Sequence, residues 1–153
     1  MSLEDLSKAV NDHKTGFDRL VGLEITEASG KRVCAQLTIA ECHKQIHGIV
    51  HGGVYTTIVE TLGSIGAALS AREYGRTIVG LDNHTSFLRA VSEGILTAVA
   101  EPVTAGRRTQ IWSTRISDAN GKGVALGQLR LLCLEIDTLP NAQTEKSSSP
   151  FST

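Results

Sequence analysis

A long, nearly uncharged segment in the middle of the chain constrains its fold more than any other feature. From Gly52 to about Tyr74, apolar residues fall on every side of a helical projection, and Glu60 is the one charged residue between His51 and Arg72. A helix that is apolar all round is buried all round. Roughly 22 helical residues at ~1.5 Å per residue would span ~33 Å. We therefore predict one long central helix that is enclosed by the rest of the domain.

Alternation of apolar and polar residues predicts strands on both sides of this helix. The candidates are two strands before it, 22–28 and 32–39, and four after it, 79–89, 94–103, 108–118 and 122–134. Short turn-like connections, among them Asn120-Gly121, are typical of hairpins. They favour a single antiparallel sheet in which the last four strands form a meander. The predicted fold class is α+β, with an antiparallel six-stranded sheet wrapped around one long central helix.

The first part of the chain, residues 1–21, predicts an N-terminal helix and a connector. Helical spacing of apolar residues runs from Ser2, a candidate cap, to about His13. Phe17 and Leu20 follow as candidate anchors of a short connecting turn. We assign this segment to the same single domain as the strands.

The composition is that of one globular domain, with 153 residues, 41% apolar residues and 20% charged residues. We place this domain at 1–137 and predict a flexible tail at 138–153, where periodicity is lost. A net charge of -1 and only 4% aromatic residues argue against nucleic acid as a partner.

The sequence shows neither a targeting signal nor a cysteine spacing typical of disulfides or zinc sites. The polar N-terminus is unlike a secretory signal, and Glu60 interrupts the one stretch of membrane-span length. The three cysteines contain no C-x-x-C pair, which favours reduced, free cysteines over disulfides or a cysteine zinc site. We therefore expect a soluble, cytoplasmic protein without a membrane partner.

A narrow polar stripe on the central helix is the candidate functional feature. Thr56, Glu60 and Ser64 stand at i, i+4 and i+8 and share one face. Gly52 and Gly53 stand at the helix N-terminus, where free N–H groups and the positive end of the dipole hold an oxyanion. Because a carboxylate is costly to bury without a partner, the stripe predicts an oxyanion site and a functional carboxylate about two turns apart.

Structural explanations for these polar residues remain open at this point. Glu60 could form an ion pair with Arg89, Arg107 or Arg108, and a serine on a helix such as Ser64 often bonds to its own turn. The same arginines could also be no more than solvated turn residues.

A histidine-rich segment before the helix invites two further readings. His43, His47 and His51 are spaced by four, but that spacing gathers metal ligands only on a helix, and Gly48 argues for a loop. We expect no metal site. The His51-Gly52-Gly53 triplet is also found in the oxyanion loop of α/β-hydrolases, but the chain lacks a G-x-S-x-G motif and is too short for that fold.

Taken together, three elements of the sequence resemble a known family. The segment from Gln45 through His51-Gly52-Gly53 to Tyr55, followed by Glu60 and then by N-H-T-S-F-L-R at 83–89, resembles the hotdog-fold acyl-CoA thioesterases. Within them it looks most like the 4-hydroxybenzoyl-CoA thioesterase branch, a relative of the phenylacetate-pathway thioesterases. The resemblance runs from about residue 22 to residue 134.

The resemblance implies a site and an assembly. It implies a hotdog dimer with sheets joined edge to edge, commonly paired again into a tetramer, and active sites at the dimer interface. Glu60 would be the catalytic carboxylate and Gly52 would donate its N–H to the thioester carbonyl. Gln45 would position the thioester, Ser64 would orient the hydrolytic water, and His51 would support the loop and the substrate carbonyl.

Two departures from the branch concern the site. The branch carries threonine where this chain has Ser64, so the hydroxyl is kept. Small hydroxyl residues near the coenzyme are replaced here by Arg107 and Arg108, which would bind phosphates of coenzyme A. Arg89 is a second candidate for that contact, and Gly53 a candidate at the helix N-terminus.

The implied activity is hydrolysis of an aryl- or fatty-acyl-CoA to the free acid and coenzyme A. The implied reaction requires no metal or redox cofactor. Coenzyme A takes part as a portion of the substrate, not as a cofactor. Glu60 could act as nucleophile or as general base, and the sequence does not separate the two. The alternatives are a non-catalytic acyl-CoA-binding regulator and a hydratase or dehydratase on the same fold.

Overall fold

The computed structural model describes residues 5–136, which form three α-helices and six strands. The helices are α1 (Ser7–Asp12), α2 (Gly16–Val21) and α3 (Gly52–Arg72), and a short 3₁₀ turn covers Glu41–His43. The strands are β1 (Glu24–Ala28), β2 (Val33–Thr38), β3 (Arg76–Phe87), β4 (Ile95–Ala105), β5 (Thr109–Ser117) and β6 (Gly123–Glu135). The predicted long helix and all six predicted strands are therefore present, with ends shifted by a few residues.

The strands form one antiparallel sheet in the order β1-β2-β4-β5-β6-β3. The predicted meander of the last four strands is wrong, because β3 pairs with β6 at the far edge and only β4, β5 and β6 follow one another. Helix α3 connects β2 to β3 across the face of the sheet, and β4, β5 and β6 then fill the space between those two strands. Alternating polarity reports which face of a strand is buried, but not which strand lies beside it.

Helix α3 packs on the concave face of this sheet, and the core lies between them. Its largest fully buried side chains come from both layers: Trp112, Leu37, Ile58, Leu62, Leu96, Ile116, Leu129 and Leu131. The helix is not buried all round in the single chain, however. One face, which includes Thr56, Glu60 and Ser64, is only half-buried. The polar stripe therefore lies where another surface can reach it.

The N-terminal segment contains two helices rather than a helix and a turn. Helix α1 begins at Ser7, and the predicted cap Ser2 lies outside the described residues, as does the predicted tail 138–153. The connector forms α2, and Phe17 and Leu20 on it are 61% and 77% exposed, so they do not anchor a turn. Within residues 5–136, no helix has the length and apolar character needed to cross a membrane.

The two edges of the sheet differ in what covers them. The edge at β1 is covered by α1, since Leu6 N donates to Ala28 O at 2.9 Å and the Asn11 side chain bonds both backbone groups of Ile25. The edge at β3 has no strand beside it within residues 5–136, and Leu81 on it is 51% exposed. An uncovered edge of this length is a surface that proteins usually pair or protect.

Candidate active site

The N-terminus of α3 presents a free backbone donor. His51 caps the helix, because its Nδ1 accepts from Gly53 N at 2.9 Å and its carbonyl accepts from Val54 N at 2.9 Å. The N–H of Gly52, the first helical residue, has no hydrogen-bond partner in the described part of the chain. A free N–H at the positive end of a 21-residue helix is suited to an oxyanion.

A cavity of about 370 Å³ opens beside this donor. Gln45 and Gly52 both line it, together with the ring of Phe87. The Oε1 atom of Gln45 accepts from His47 N. The side-chain N–H₂ of Gln45 has no hydrogen-bond partner within residues 5–136. Two predicted site residues thus bring unused N–H donors to one cavity.

Gly52 has a steric reason to be glycine. A Cβ at this position would lie 2.7 Å from two carbon atoms of the Phe87 ring. Phe87 in turn packs against Tyr55, with ring centroids 5.9 Å apart. Burial raises the pKa of Tyr55, so its phenol is neutral at physiological pH. The two rings therefore form an aromatic wall of the cavity, which Arg89 also lines.

Glu60 lies two turns further along α3 and is held by a side-chain amide rather than by a cation. Asn83 on β3 donates Nδ2 to Glu60 Oε2 at 2.8 Å. No arginine or lysine within residues 5–136 forms a salt bridge with Glu60, and Arg89 pairs instead with Asp118 at 3.3 Å. The structural ion pair that the sequence left open is therefore not formed in the described chain.

Ser64 lines a second cavity, of about 320 Å³, between α3 and the two N-terminal helices. Its walls are mostly apolar and include Ile65 and Ala68 of α3. Lys14 lies at this cavity and donates to Leu23 O; burial lowers its pKa. Ser64 is thus one helical turn beyond Glu60 and borders an apolar compartment.

The remaining predicted residues lie elsewhere. Gly53 and His51 border a third cavity, against α2, and the Gly53 N–H is already used by His51. Arg107 and Arg108 are exposed in the turn between β4 and β5. This turn lies near the C-terminal part of α3, because Gln110 Nε2 donates to Ala67 O at 3.3 Å.

The histidine segment is a loop and does not gather its side chains. His43 is buried, with its ring nitrogens bonded to Ala40 N at 2.9 Å and Val21 O at 2.9 Å. His51 caps α3, and no group of three or more possible metal ligands occurs in the described residues.

Asn83 is the site residue that the sequence reasoning did not single out. It belongs to the N-H-T-S-F-L-R segment, which carries the family resemblance as a whole. Alternate residues of a strand share a face, so Asn83, Thr85 and Phe87 lie on one side of β3. The structure turns that side toward α3, where Phe87 contacts Gly52 and Asn83 contacts Glu60.

A long helix packed on a six-stranded antiparallel sheet, with a free N-terminal amide and a carboxylate two turns on, defines a hotdog-type site. The model of the thioesterase superfamily matches residues 47–125, and the chain belongs to this family. The predicted hotdog fold and the predicted class of enzyme, a thioester hydrolase, are confirmed at this level.

Three relatives illustrate the similarity. A Mycobacterium tuberculosis protein provisionally assigned as an esterase is 40% identical over 121 residues, which cover 78% of this chain and 86% of the relative. Its structure superposes with a TM-score of 0.76 at 39% identity, covering 78% of this chain and 96% of the relative. The 1,4-dihydroxy-2-naphthoyl-CoA hydrolase of Listeria monocytogenes is 32% identical and covers 81% of this chain and 94% of the relative. A thioesterase structure from Pseudomonas aeruginosa is 26% identical, with a TM-score of 0.79, and the match covers 87% of this chain and 96% of the relative.

Proposed function

We propose that this chain is a cytoplasmic acyl-CoA thioesterase, in which Gly52 polarises the thioester carbonyl and Glu60 is the catalytic carboxylate. The observation that carries the proposal is the pair of unused donors, Gly52 N–H and the Gln45 side-chain amide, in one cavity at the start of α3. On the same helix stands Glu60, which no cation in the described chain neutralises.

The donors act on the charge that develops during the reaction. When an oxygen nucleophile attacks a thioester carbonyl, negative charge collects on the carbonyl oxygen. The Gly52 N–H and the helix dipole stabilise this charge more in the transition state than in the bound substrate, which raises the rate. Gln45 positions the thioester from the same cavity. His51 supports the arrangement by holding the first turn of α3.

Glu60 supplies the nucleophile in one of two ways. As a general base it takes a proton from water, whose oxygen attacks the carbonyl carbon. The tetrahedral oxyanion then collapses, the carbon–sulfur bond breaks, and the departing thiolate takes the proton back from Glu60. As a nucleophile the Glu60 carboxylate attacks the carbonyl carbon and expels coenzyme A thiolate, which leaves an acyl anhydride; water then hydrolyses the anhydride to the free acid and the Glu60 carboxylate, and its second proton goes to the thiolate. Both routes give the free acid and coenzyme A thiol, and neither requires a metal or redox cofactor. Ser64, one turn beyond Glu60, orients the water in either route.

One chain cannot bring both groups to a single carbonyl. Gly52 and Glu60 are separated by about 12 Å along α3 at ~1.5 Å per residue, whereas each must come within about 3 Å of the reacting atoms. The uncovered edge of β3 supports a second copy joined edge to edge in antiparallel fashion. Such a two-fold arrangement sets Gly52 of one copy opposite Glu60 of the partner subunit. We therefore propose a homodimer, paired again into a tetramer, with shared sites.

The arginines fit the coenzyme end of this arrangement. Arg89 lines the cavity of Gly52 and Gln45. Arg107 and Arg108 are distant from Gly52 of their own chain, so they would contact coenzyme A phosphates bound at the partner's site. Gly53 at the start of α3 is exposed and borders the neighbouring cavity against α2, so it remains a candidate contact of the substrate. Arginine is suited to this role because its planar fork matches phosphate oxygens.

A hydrolysis screen with free-thiol detection tests the proposal. The substrates are short-chain, long-chain and aryl acyl-CoAs, with 1,4-dihydroxy-2-naphthoyl-CoA included because of the Listeria monocytogenes relative. We expect thiol release from at least one class, and we expect Glu60→Gln to reduce kcat by about 100-fold or more, as for loss of a catalytic acid or base. The matched control is Glu73→Gln, which removes the charge of an exposed side chain just beyond α3 and should retain activity.

The other outcomes identify the alternative functions. Tight binding of acyl-CoA without thiol release would indicate a regulator, and conversion of an enoyl- or 3-hydroxyacyl-CoA with the thioester intact would indicate a hydratase or dehydratase. Turnover of Glu60→Gln at the rate of the unaltered protein would contradict the role of Glu60.

A further inference from the structure

Two polar side chains of β3 form a short hydrogen-bonded chain that ends on Glu60. Thr85 Oγ1 donates to Asn83 Oδ1 at 2.9 Å, and Asn83 Nδ2 donates to Glu60 Oε2 at 2.8 Å. The same Asn83 nitrogen also donates to Thr56 O, one turn before Glu60, at 3.2 Å. The chain therefore connects the sheet to both the side chain and the backbone of α3.

The partners of Asn83 leave its amide only one orientation. Its nitrogen meets two acceptors, the Glu60 carboxylate and the Thr56 carbonyl, while its oxygen meets the Thr85 hydroxyl, which can donate. In the flipped orientation the amide oxygen would face two acceptors and both of those contacts would be repulsive. The two acceptors thus determine that Asn83 presents a donor to Glu60, and the Thr85 hydroxyl holds the amide oxygen in that orientation.

The contact engages one oxygen of Glu60 and leaves the other open. Oε2 accepts from Asn83, whereas Oε1 lies beside Gly80, where a Cβ would be 3.1 Å from it. Glycine at position 80 therefore leaves space next to Oε1. Because Oε2 is held, the carboxylate plane and the direction of Oε1 are set before substrate binds.

The far end of the chain is held by packing. Gly127 of β6 pairs with Thr85 in the sheet, and a Cβ on Gly127 would lie 2.9 Å from Thr85 Oγ1 and 2.5 Å from a methyl carbon of Val59. The bare backbone at Gly127 allows α3 and Thr85 to approach the sheet closely. Thr85 is also β-branched, which restricts its χ1 rotation.

We infer that Asn83 and Thr85 are positioning residues for Glu60, with Asn83 holding Oε2 so that Oε1 is the reactive oxygen. This inference rests on the proposed function, since it assigns the orientation of the proposed catalytic carboxylate. Asn83 acts on Glu60 directly, and Thr85 acts through Asn83. Neither residue touches the substrate, so their loss should lower kcat more than it changes KM.

Four variants test the inference on an acyl-CoA that the unaltered protein hydrolyses. We expect Asn83→Ala to lower kcat by about 10- to 100-fold, the range for loss of one hydrogen bond to a charged group. Thr85→Val, which keeps the shape but removes the hydroxyl, should lower kcat by about 3- to 10-fold at nearly constant KM, and Thr85→Ser should restore it. Thr77→Val makes the same change elsewhere on β3 and should have no effect.

A double-mutant cycle separates positioning from general damage to the fold. The double variant of Asn83→Ala and Thr85→Val should be no slower than Asn83→Ala alone, because Thr85 acts through Asn83. Asn83→Ala should likewise cause no further loss when added to Glu60→Gln. The inference would be overturned if the losses in kcat multiplied independently in both cycles. It would also be overturned if Thr85→Val left kcat unaltered.

Failure of this inference differs from failure of the proposed function. If Glu60→Gln abolishes hydrolysis while Asn83→Ala and Thr85→Val retain full kcat, Glu60 is catalytic but is not positioned by this chain. If Glu60→Gln retains full activity, the catalytic assignment of Glu60 is wrong and the positioning role is lost with it.

Discussion

Three arginines are the candidates for binding the coenzyme phosphates, and they differ in their partners. Arg89 is paired with Asp118, whose own carboxylate accepts from the N–H groups of Lys122 and Asn120. These N–H groups, that of Lys122 first, lower the pKa of Asp118 and keep it charged. Arg107 and Arg108, by contrast, are exposed, and their guanidinium groups have no partner in the described chain. They are the charges that remain available for a phosphate ligand.

Replacing Arg107 and Arg108 together with alanine should raise KM for acyl-CoA about tenfold with little change in kcat. The reason is that phosphate contacts stabilise the bound substrate and the transition state equally. The increase should shrink at high salt, since exposed charges are screened over about 8 Å at physiological ionic strength. Steady-state kinetics at two salt concentrations measures both effects.

Two controls accompany that measurement. An acyl-pantetheine substrate, which lacks the nucleotide, should be hydrolysed equally by the double variant and the unaltered protein. Lys31→Ala combined with Arg130→Ala removes two exposed charges elsewhere and should leave KM unchanged. Equal loss of activity on both substrates would show that the arginines are structural.

At the scale of elements, α1 matters because it covers the β1 edge and helps to enclose the cavity beside Ser64. Val10 and His13 at its C-terminal end line that cavity. Part of its attachment is polar, since Asp5 Oδ1 accepts from Ala28 N and from Ser7 N, both at 2.9 Å. The side chain of Asn11 replaces a neighbouring strand for Ile25, donating to its carbonyl at 2.7 Å and accepting from its N–H at 3.0 Å. These hydrogen bonds at the sheet edge add to the packing of Leu6 and Val10 against the core.

The attachment of α1 should weaken in acid. The N–H of Ala28, followed by that of Ser7, lowers the pKa of Asp5 below its ordinary value of 3.8. A lowered pKa in the folded state means that the contribution of Asp5 is present above pH 3.8 and is lost as the pH falls through the lowered value. Hydrogen exchange at the Leu6 and Ala28 amides should therefore accelerate in acid relative to the core amides.

The Asp5→Asn variant should remove most of this pH dependence. Asn11→Ala serves as the control, because an amide does not titrate in this range. It should lower stability by about 1 kcal/mol at every pH, for loss of hydrogen bonds at an edge strand. An Asp5→Asn protein with the same acid-induced loosening as the unaltered protein would contradict the role of Asp5.

At the scale of the whole molecule, the single chain contains all the groups of the proposed site but does not assemble them. Gly52 and Glu60 are too far apart to act on one carbonyl, and the polar stripe of α3 is half-buried beside an uncovered strand edge. In the proposed dimer a second copy of the chain would account for both features at once, because it would cover the β3 edge and bring its own α3 alongside. Assembly and activity are therefore expected to be inseparable.

A mixing experiment tests the shared site directly. One partner is Glu60→Gln, and the other is Gly52→Pro combined with Phe87→Ala. Proline is tolerated at the first helical position but removes the N–H, and alanine at 87 relieves the contact that a Cβ at 52 would make at 2.7 Å. Each protein alone should be nearly inactive. Mixed oligomers formed by refolding together should regain activity, because one site then combines an intact Gly52 with an intact Glu60 of the partner subunit.

Phe87→Ala alone is the matched control and must itself be active. Light scattering should give a mass of at least twice 16.3 kDa for the unaltered protein. No recovery on mixing, when native mass spectrometry shows that mixed oligomers have formed, would place the site within one chain.

Local periodicity was sufficient to predict much of this molecule. Helix α3 begins at Gly52 as predicted, because a segment with apolar residues on every side of a helical projection and a single charge is a property of neighbouring residues. The two-turn spacing of Gly52 and Glu60 follows from helix geometry alone. The strands were equally predictable, since alternation with period two is a local property of the chain.

The relations between distant segments were decided by the tertiary structure. The position of β3 beside β6 and the contact of Asn83 with Glu60 both depend on where the chain re-enters the sheet after α3 has crossed it. The second N-terminal helix, with its exposed Phe17, was likewise not evident from local periodicity. Alternation in β3 shows that Asn83 and Thr85 share a face, but several strand orders bury that face equally well. Only the packing of the complete sheet against one helix selects among them, because burial of the core is a property of all the strands together.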